Sequence, residues 1–544
     1  MSKLRKAKTL FKAATIAACS SMVGAPLTAG PALAWKSPST TKTPIQHVVV
    51  IFQENVSFDH YFATYPVAQN SDGTWFKAQP GTPSVNGLTP SLLTNNPNFN
   101  GTMGNPFRLS YANAATCDQD HGYTDEQKAF DNGLMDMFPA FTNVGNCTQN
   151  AGHPNDLVMG YYDGNTTTAI WNYAQNFAMN DNAYGTTFGP SSPGAINVVS
   201  GDTTGAFMDT PPNEGVDVTD GSLTDDAQPT GDVCTTRDSA HLTGKNIGNL
   251  LNDAGLTWGW FEGGFDLTIT NPNGTTGCKR SHTSITGAFP AKVDYIPHHE
   301  PFQYYASTAN PTHARPSSIA AIGTTDAANH QYDSHDFFDA LAAGIMPNVV
   351  FLKAPGYQDG HAGYSSPLDE QIFLANTINA IEASKFWDST LIVLTYDDSD
   401  GWYDHQMSPI IMHSQADATG GQQNDALTGT NLCGSSTTGM QSQGRCGYGP
   451  RLPFLVISPW AKRNFVDHTT IDQSSPIAFI EYNWGLKSVN PASGSDPGSY
   501  DQYAGPITNM LDFGKNHGQV ESNQVFIDPT TGNVPGGGHD WSKR

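Results

Sequence analysis

The stretch IQHVVVIFQENVSFDH, Ile45 to His60, decides how this chain folds. Val48 to Phe52 are five consecutive apolar residues, mostly β-branched. The run is too short for a helix, and it predicts a strand buried on both faces of a parallel sheet. It stops abruptly at Gln53, Glu54 and Asn55. In open α/β sheets the carboxyl ends of the strands are where ligands gather, and a carboxylate beside a carboxamide offers hard oxygen donors to a divalent cation. Taken alone, Glu54 and Asn55 read more readily as caps of the following helix.

A second apolar run, LIVLTY from Leu391 to Tyr396, ends in the same way, in Asp397 and Asp398. If the two strands are neighbours, their ends form a four-ligand oxygen site from Glu54, Asn55, Asp397 and Asp398. Asn348 to Lys353 and Phe454 to Ser458 read as further buried strands. The expected helices are Thr166–Met179, Asn246–Ala254, Ser334–Ala343, Leu368–Ser384 and Pro476–Tyr482, with another from Thr124, where Thr124 and Gln127 fit a capping box. Strands alternating with helices predict an α/β fold with a doubly wound, mostly parallel central sheet. Residues 64–115 and 202–235, rich in Pro, Gly, Asn, Asp and Thr, read as long loops.

The chain has 544 residues, enough for one large domain with long insertions or for two. Lys3, Arg5, Lys6, Lys8 and Lys12 precede an Ala-rich segment ending in Ala32-Leu33-Ala34, which reads as an export signal over residues 1–34. Ile16-Ala17-Ala18-Cys19 is a competing lipoprotein-like box. The organisation expected after the signal is a single domain over 35–544, with its core at about 44–486 and a loop-rich tail over 487–544. Loss of residues 1–34 takes away five of 26 Lys and Arg and none of 50 Asp and Glu, so the net charge deepens from −24 to −29. A body this acidic repels nucleic acid, and no later stretch reads as a membrane span. The expected location is therefore outside the cell or in the periplasm. Six cysteines follow Cys19, and pairing by proximity in sequence joins Cys117 to Cys147, Cys234 to Cys278 and Cys433 to Cys446.

GPSSPG, Gly189 to Gly194, places two serines before a stretch that can start a helix. A serine there sits among unpaired N–H groups, which favours an anionic oxygen, although on the local pattern alone an ordinary N-cap or turn is the preferred reading. His121 at a helix entrance reads first as a surface residue or a cap, and the adjacent pair His298 and His299 and His361 beyond the third strand are further histidines that could face a site. On a strand, two adjacent histidines point to opposite faces, so only one of them is expected to face a site.

HVVVIFQENVSFDHYF, GPSSPG, TYDDSDGWYDH and GYGPRLPFLVISPWAKRNFVDH resemble, in this order, the bacterial phosphoesterase family that holds the phosphatidylcholine-type phospholipases C and a group of secreted acid phosphatases. The resemblance runs from about Pro44 to about Leu486. It implies an alkaline phosphatase-like core, one divalent ion (calcium, magnesium, manganese or zinc) on Glu54, Asn55, Asp397 and Asp398, and a nucleophile at Ser191 or its neighbour Ser192. His121, His298, His299 and His361 match histidines near the phosphate in the acid-phosphatase branch. The family commonly has Arg where this chain has Val56, and Gly where it has Ala63. The implied function is a phosphoric ester hydrolase, an acid phosphatase before a phospholipase C. The reading from a different class is a secreted metal-stabilised binding protein in which the cation is purely structural.

Overall fold

The computed structural model describes residues 40–211, 217–219, 221–414, 425–434, 445–494, 496–514 and 523–535. The expected export signal and the Cys19 box lie outside the described residues. At the centre is an eight-stranded sheet. Its strands are, in chain order, β1 (His47–Gln53), β2 (Ala178–Asn180), β3 (Trp258–Glu262), β4 (Gln331–Asp333), β5 (Val349–Lys353), β6 (Thr390–Tyr396), β7 (Phe454–Ile457) and β8 (Phe465–Asp467). In space they run β4-β3-β5-β1-β6-β7-β2-β8. Only β7 opposes the direction of the others in this sheet.

Every residue of β1, β5 and β6 is buried, as expected of apolar strands covered on both faces. Register does the rest. Phe52 lies opposite Lys353 on one side, and Gln53 lies opposite Tyr396 on the other. The residues that follow these three strands are therefore delivered side by side.

The main helices are α1 (Phe58–Phe62), α2 (Tyr123–Phe130), α3 (Thr168–Asn176), α4 (Ser191–Ser200), α5 (Ile247–Ala254), α6 (Ser334–Ala342), α7 (Pro367–Glu382) and α8 (Ser475–Trp484). α3 packs on α7, while α4 packs on α5 and α8. No helix of the described residues is long and apolar enough to cross a membrane. The three disulfides join the cysteine pairs expected from the sequence. Residues 523–535 clip onto α7: Val525 N–H donates to Glu382 Oε2 at 2.9 Å, and Ile527 N–H to Asn379 Oδ1 at 2.9 Å.

Three readings of local structure need correction. The helix expected over Thr166–Met179 ends at Asn176, because Ala178–Asn180 pairs with both β7 and β8 and becomes strand β2. Tertiary pairing overrides the helical pattern there. The capping box at Thr124 and Gln127 does not form. Gly122 is the N-cap, and Gln127 Oε1 accepts from Ala426 and Leu427 N–H at 2.8 and 3.2 Å, holding a distant loop. The loop expected over 202–235 contains short strands, with Ala206–Thr210 pairing with Ser239–Leu242.

Candidate active site

The ends of β1 and β6 are laced by backbone hydrogen bonds. Asp397 N–H donates to Gln53 O at 3.1 Å, and Val56 N–H to Asp398 O at 2.9 Å. Between these bonds Asn55 takes φ +52°, the left-handed region that asparagine tolerates better than most residues. This turn directs its N–H to Asp397 Oδ1 at 2.8 Å, an acceptor that Asp398 N–H shares at 2.7 Å. Asp397 is thus fixed by two N–H donors on one oxygen, while its Oδ2 is buried with no hydrogen-bond donor among the described residues.

Ser191 opens α4 behind Pro190. Its Oγ lies 3.2 Å from Glu54 Oε2, 3.2 Å from Asp398 Oδ2 and 3.5 Å from Asn55 Oδ1. Ser192 faces elsewhere: its N–H donates to Asp226 Oδ1 at 2.8 Å, and its Oγ lies against His298 O and Tyr304 Oη, at 3.5 and 3.4 Å. Glu126 braces the approach to the serine, accepting from Gly189 N–H at 2.9 Å and from Ser399 Oγ at 2.6 Å. Burial pushes the Glu126 carboxyl up to about 8.

Electrostatics divides the acids. Burial pushes Asp397 well above the usual carboxylate range, and the neighbouring charges of Asp398 and Glu54 add to it. Burial also raises Asp398, to about 7, against the pull of His121. Glu54 ends below its ordinary value, because Lys353 and His361 overcome the penalty of burial. Three packed carboxyls and an amide oxygen, including one buried oxygen without a donor, fit a hard divalent cation.

The histidines differ in their surroundings. His121 Nε2 lies 3.4 Å from Asn55 Nδ2, and its Nδ1 lies 2.8 Å from Gln119 O and 3.2 Å from Asp400 Oδ1. Burial opposes its protonation, yet the charges of Asp398, Asp400 and Asp118 raise it well above the ordinary imidazole value. His299 Nδ1 is 3.2 Å from Glu54 Oε1, while His298 Nε2 is 3.8 Å from Asp226 Oδ2. The pair occupies a 3₁₀ turn, Pro297–His299, rather than a strand, and only His299 meets a candidate metal ligand directly. Desolvation lowers His298 to about 4 and His299 well below its ordinary value, and it also lowers His361. The ring centroid of His361 is 6.1 Å from that of His121. Of these four histidines, His121 alone is held above the ordinary imidazole value.

Sequence reasoning missed Lys353, Asp359, Asp400 and Asp226. Lys353 had a legible signal, a charged residue closing an apolar strand in VVFLK beside the other strand ends. Asp226 had none, since it reaches Ser192 from within a polar loop.

A family model described as the phosphoesterase family matches residues 45–487. The chain belongs to the phosphoesterase family. Curated relatives include a non-hemolytic phospholipase C of Pseudomonas aeruginosa, 24% identical over 82% of this chain and 55% of that protein. A non-hemolytic phospholipase C of Burkholderia pseudomallei is 33% identical over 25% of this chain and 19% of that one. Phospholipase C B of Mycobacterium tuberculosis is 22% identical over 82% of this chain and 75% of that one. The chain thus spans about half the length of the Pseudomonas relative. Family membership bears out the expectation of a phosphoric ester hydrolase and leaves its substrate open. Among solved structures, murine ectonucleotide pyrophosphatase/phosphodiesterase 5 is 12% identical over 64% of this chain and 95% of that one, with a TM-score of 0.30, a likeness too loose to argue from.

Proposed function

We propose that this protein is an exported, metal-dependent acid phosphatase in which Ser191 is the nucleophile and Glu54, Asn55, Asp397 and Asp398 hold one divalent ion. The observation that carries the reading is the convergence of three side-chain oxygens, from Glu54, Asn55 and Asp398, within 3.5 Å of Ser191 Oγ. When bound, the ion supplies charge that favours the serine alkoxide and neutralises the phosphoryl oxygens. The chain's own residues do the rest. Opening α4, Ser191 holds its hydroxyl at a helix N-terminus, where negative charge is favoured. The charges of Asp398, Asp400 and Asp118 favour a proton on His121, which is the donor to the departing alcohol, with His361 beside it. His299 orients Glu54 through their 3.2 Å contact, and His298 stands over Asp226 at the edge of the site. Water then attacks the phosphorus of the phosphoserine, which breaks the bond to Ser191 Oγ, releases phosphate and restores the hydroxyl. The single domain spans 35–544, and three disulfides suit an oxidising compartment.

The second reading is a phospholipase C acting on phosphodiesters, favoured by the names of the curated relatives. Turnover of p-nitrophenyl phosphate and of p-nitrophenyl phosphorylcholine, with and without chelator, separates the two. The acid-phosphatase reading expects the monoester to be the better substrate and chelation to abolish turnover. Preference for the choline diester puts the phospholipase first. Failure to cleave either ester with any common divalent ion leaves only the structural-cation reading.

A further inference from the structure

Glu54 presents its two oxygens to different neighbours. Oε2 faces Ser191 Oγ at 3.2 Å, whereas Oε1 is 2.6 Å from Lys353 Nζ and 3.2 Å from His299 Nδ1. Glu54, His299 and Asp359 bring their ligand atoms within 4.8 Å of one another, a set that suits a cation by itself. A carboxylate split this way resembles the bridge of a two-metal centre, in which one oxygen serves each ion. Here a side chain already stands on the second side. Lys353 is completely buried, with Asp359 Oδ2 at 3.9 Å in addition to Glu54. Its contact with Glu54 Oε1 is a charge-assisted one at hydrogen-bond distance. A lysine ammonium is a compact point cation. Register explains how it arrives: Lys353 lies opposite Phe52 on the neighbouring strand, two residues before Glu54.

We infer that Lys353 is a built-in cation that takes the place of a second divalent ion between Glu54, Asp359 and His299, so that this centre takes one metal ion. The inference rests on the proposed one-ion site at Glu54, Asn55, Asp397 and Asp398 and adds what keeps a second ion out. Lys353 is a positioning residue: its fixed charge keeps Glu54 Oε1 occupied and leaves Oε2 for the nucleophile side.

The test is the count of Mn²⁺ ions bound per chain, by calorimetry and elemental analysis after chelation and reloading, for wild type and for Lys353→Met. Wild type is expected to bind one ion. Lys353→Met, which keeps the apolar stem and removes the charge, is expected to bind two, and Lys353→Met with Asp359→Asn is expected to return to one. Two ions on the wild type, or a single ion on folded Lys353→Met at saturating Mn²⁺, overturns the inference while leaving the cation site in place. No ion on the wild type overturns the cation site and the inference with it. If Lys353→Met does not fold, Lys353→Gln is counted in its place: two ions support the inference and one ion at saturating Mn²⁺ overturns it.

Discussion

Replacing Gly194 with alanine tests the placement of the nucleophile without touching any group that reacts. Gly194 lies inside α4, three residues beyond Ser191. Helix propensity alone predicts that alanine stabilises such a position by about 0.5–1 kcal/mol. Packing says the reverse. A Cβ at Gly194 would meet Asp397 O at 2.2 Å, its carbonyl carbon at 2.8 Å and its Cα at 3.0 Å. Those atoms cannot give way, because Asp397 N–H is bonded to Gln53 O and Gln473 donates to Asp397 O. Helix and strand end must therefore part by about 1 Å before the contact reaches even the tight end of the van der Waals range. Ser191 moves with its helix and loses its 3.2 Å approach to Glu54 and Asp398. A displacement of about 1 Å costs on the order of 10²-fold in rate, and overpacking costs about 1–3 kcal/mol of stability. The assay is kcat/KM for p-nitrophenyl phosphate beside a thermal melt. A roughly 100-fold fall in a folded Gly194→Ala protein is expected. Turnover within threefold of wild type would refute the argument that α4 is seated on Asp397 by this glycine.

Other outcomes follow from other parts of the fold. Arg451 is fully buried with its guanidinium 3.1 Å from both Asp59 Oδ1 and Asp404 Oδ2, and Arg451→Met should cost about 3–5 kcal/mol in denaturant unfolding, because two buried carboxylates lose their partner. Burial raises Glu382 to about 8 where it receives Val525 N–H. Its folded value thus lies above its unfolded one: the stability it contributes is fully present below the unfolded value, falls as pH rises and is gone above about 8. Melting Glu382→Gln between pH 5 and 9 should show a flatter pH profile than wild type, and an unchanged slope would count against this assignment. Removing the cation with chelator should lower the thermal midpoint, because Asp397, Asp398 and Glu54 then share a buried site without it; Asp397→Asn should make the midpoint less sensitive to chelation.

The parts of the molecule that reveal themselves in sequence are those whose pattern is local. VVVIF and LIVLTY are apolar over their whole length because both faces of a parallel strand are covered, so β1 and β6 are legible, together with the polar residues that end them. The four strand-end residues and Ser191 come together in space, yet only register between distant strands shows it. Met179 sits in a helical pattern but is claimed by β7 and β8, which no local window reveals. Gln127 looked like a cap and instead binds residues some 300 positions away. The histidines were identifiable as candidates, but their charge depends on burial and on Asp400 and Asp118, and that separates His121 from the other three.

The central claim is that the phosphoryl group passes through Ser191. Acid quenching during turnover of p-nitrophenyl phosphate, followed by peptide mass spectrometry, tests it most directly. One added phosphoryl group is expected on the peptide spanning residues 188–200, fragmenting to Ser191 and absent from Ser191→Ala. A phosphoryl group on Ser192 or on a histidine, or steady turnover by Ser191→Ala, would contradict it.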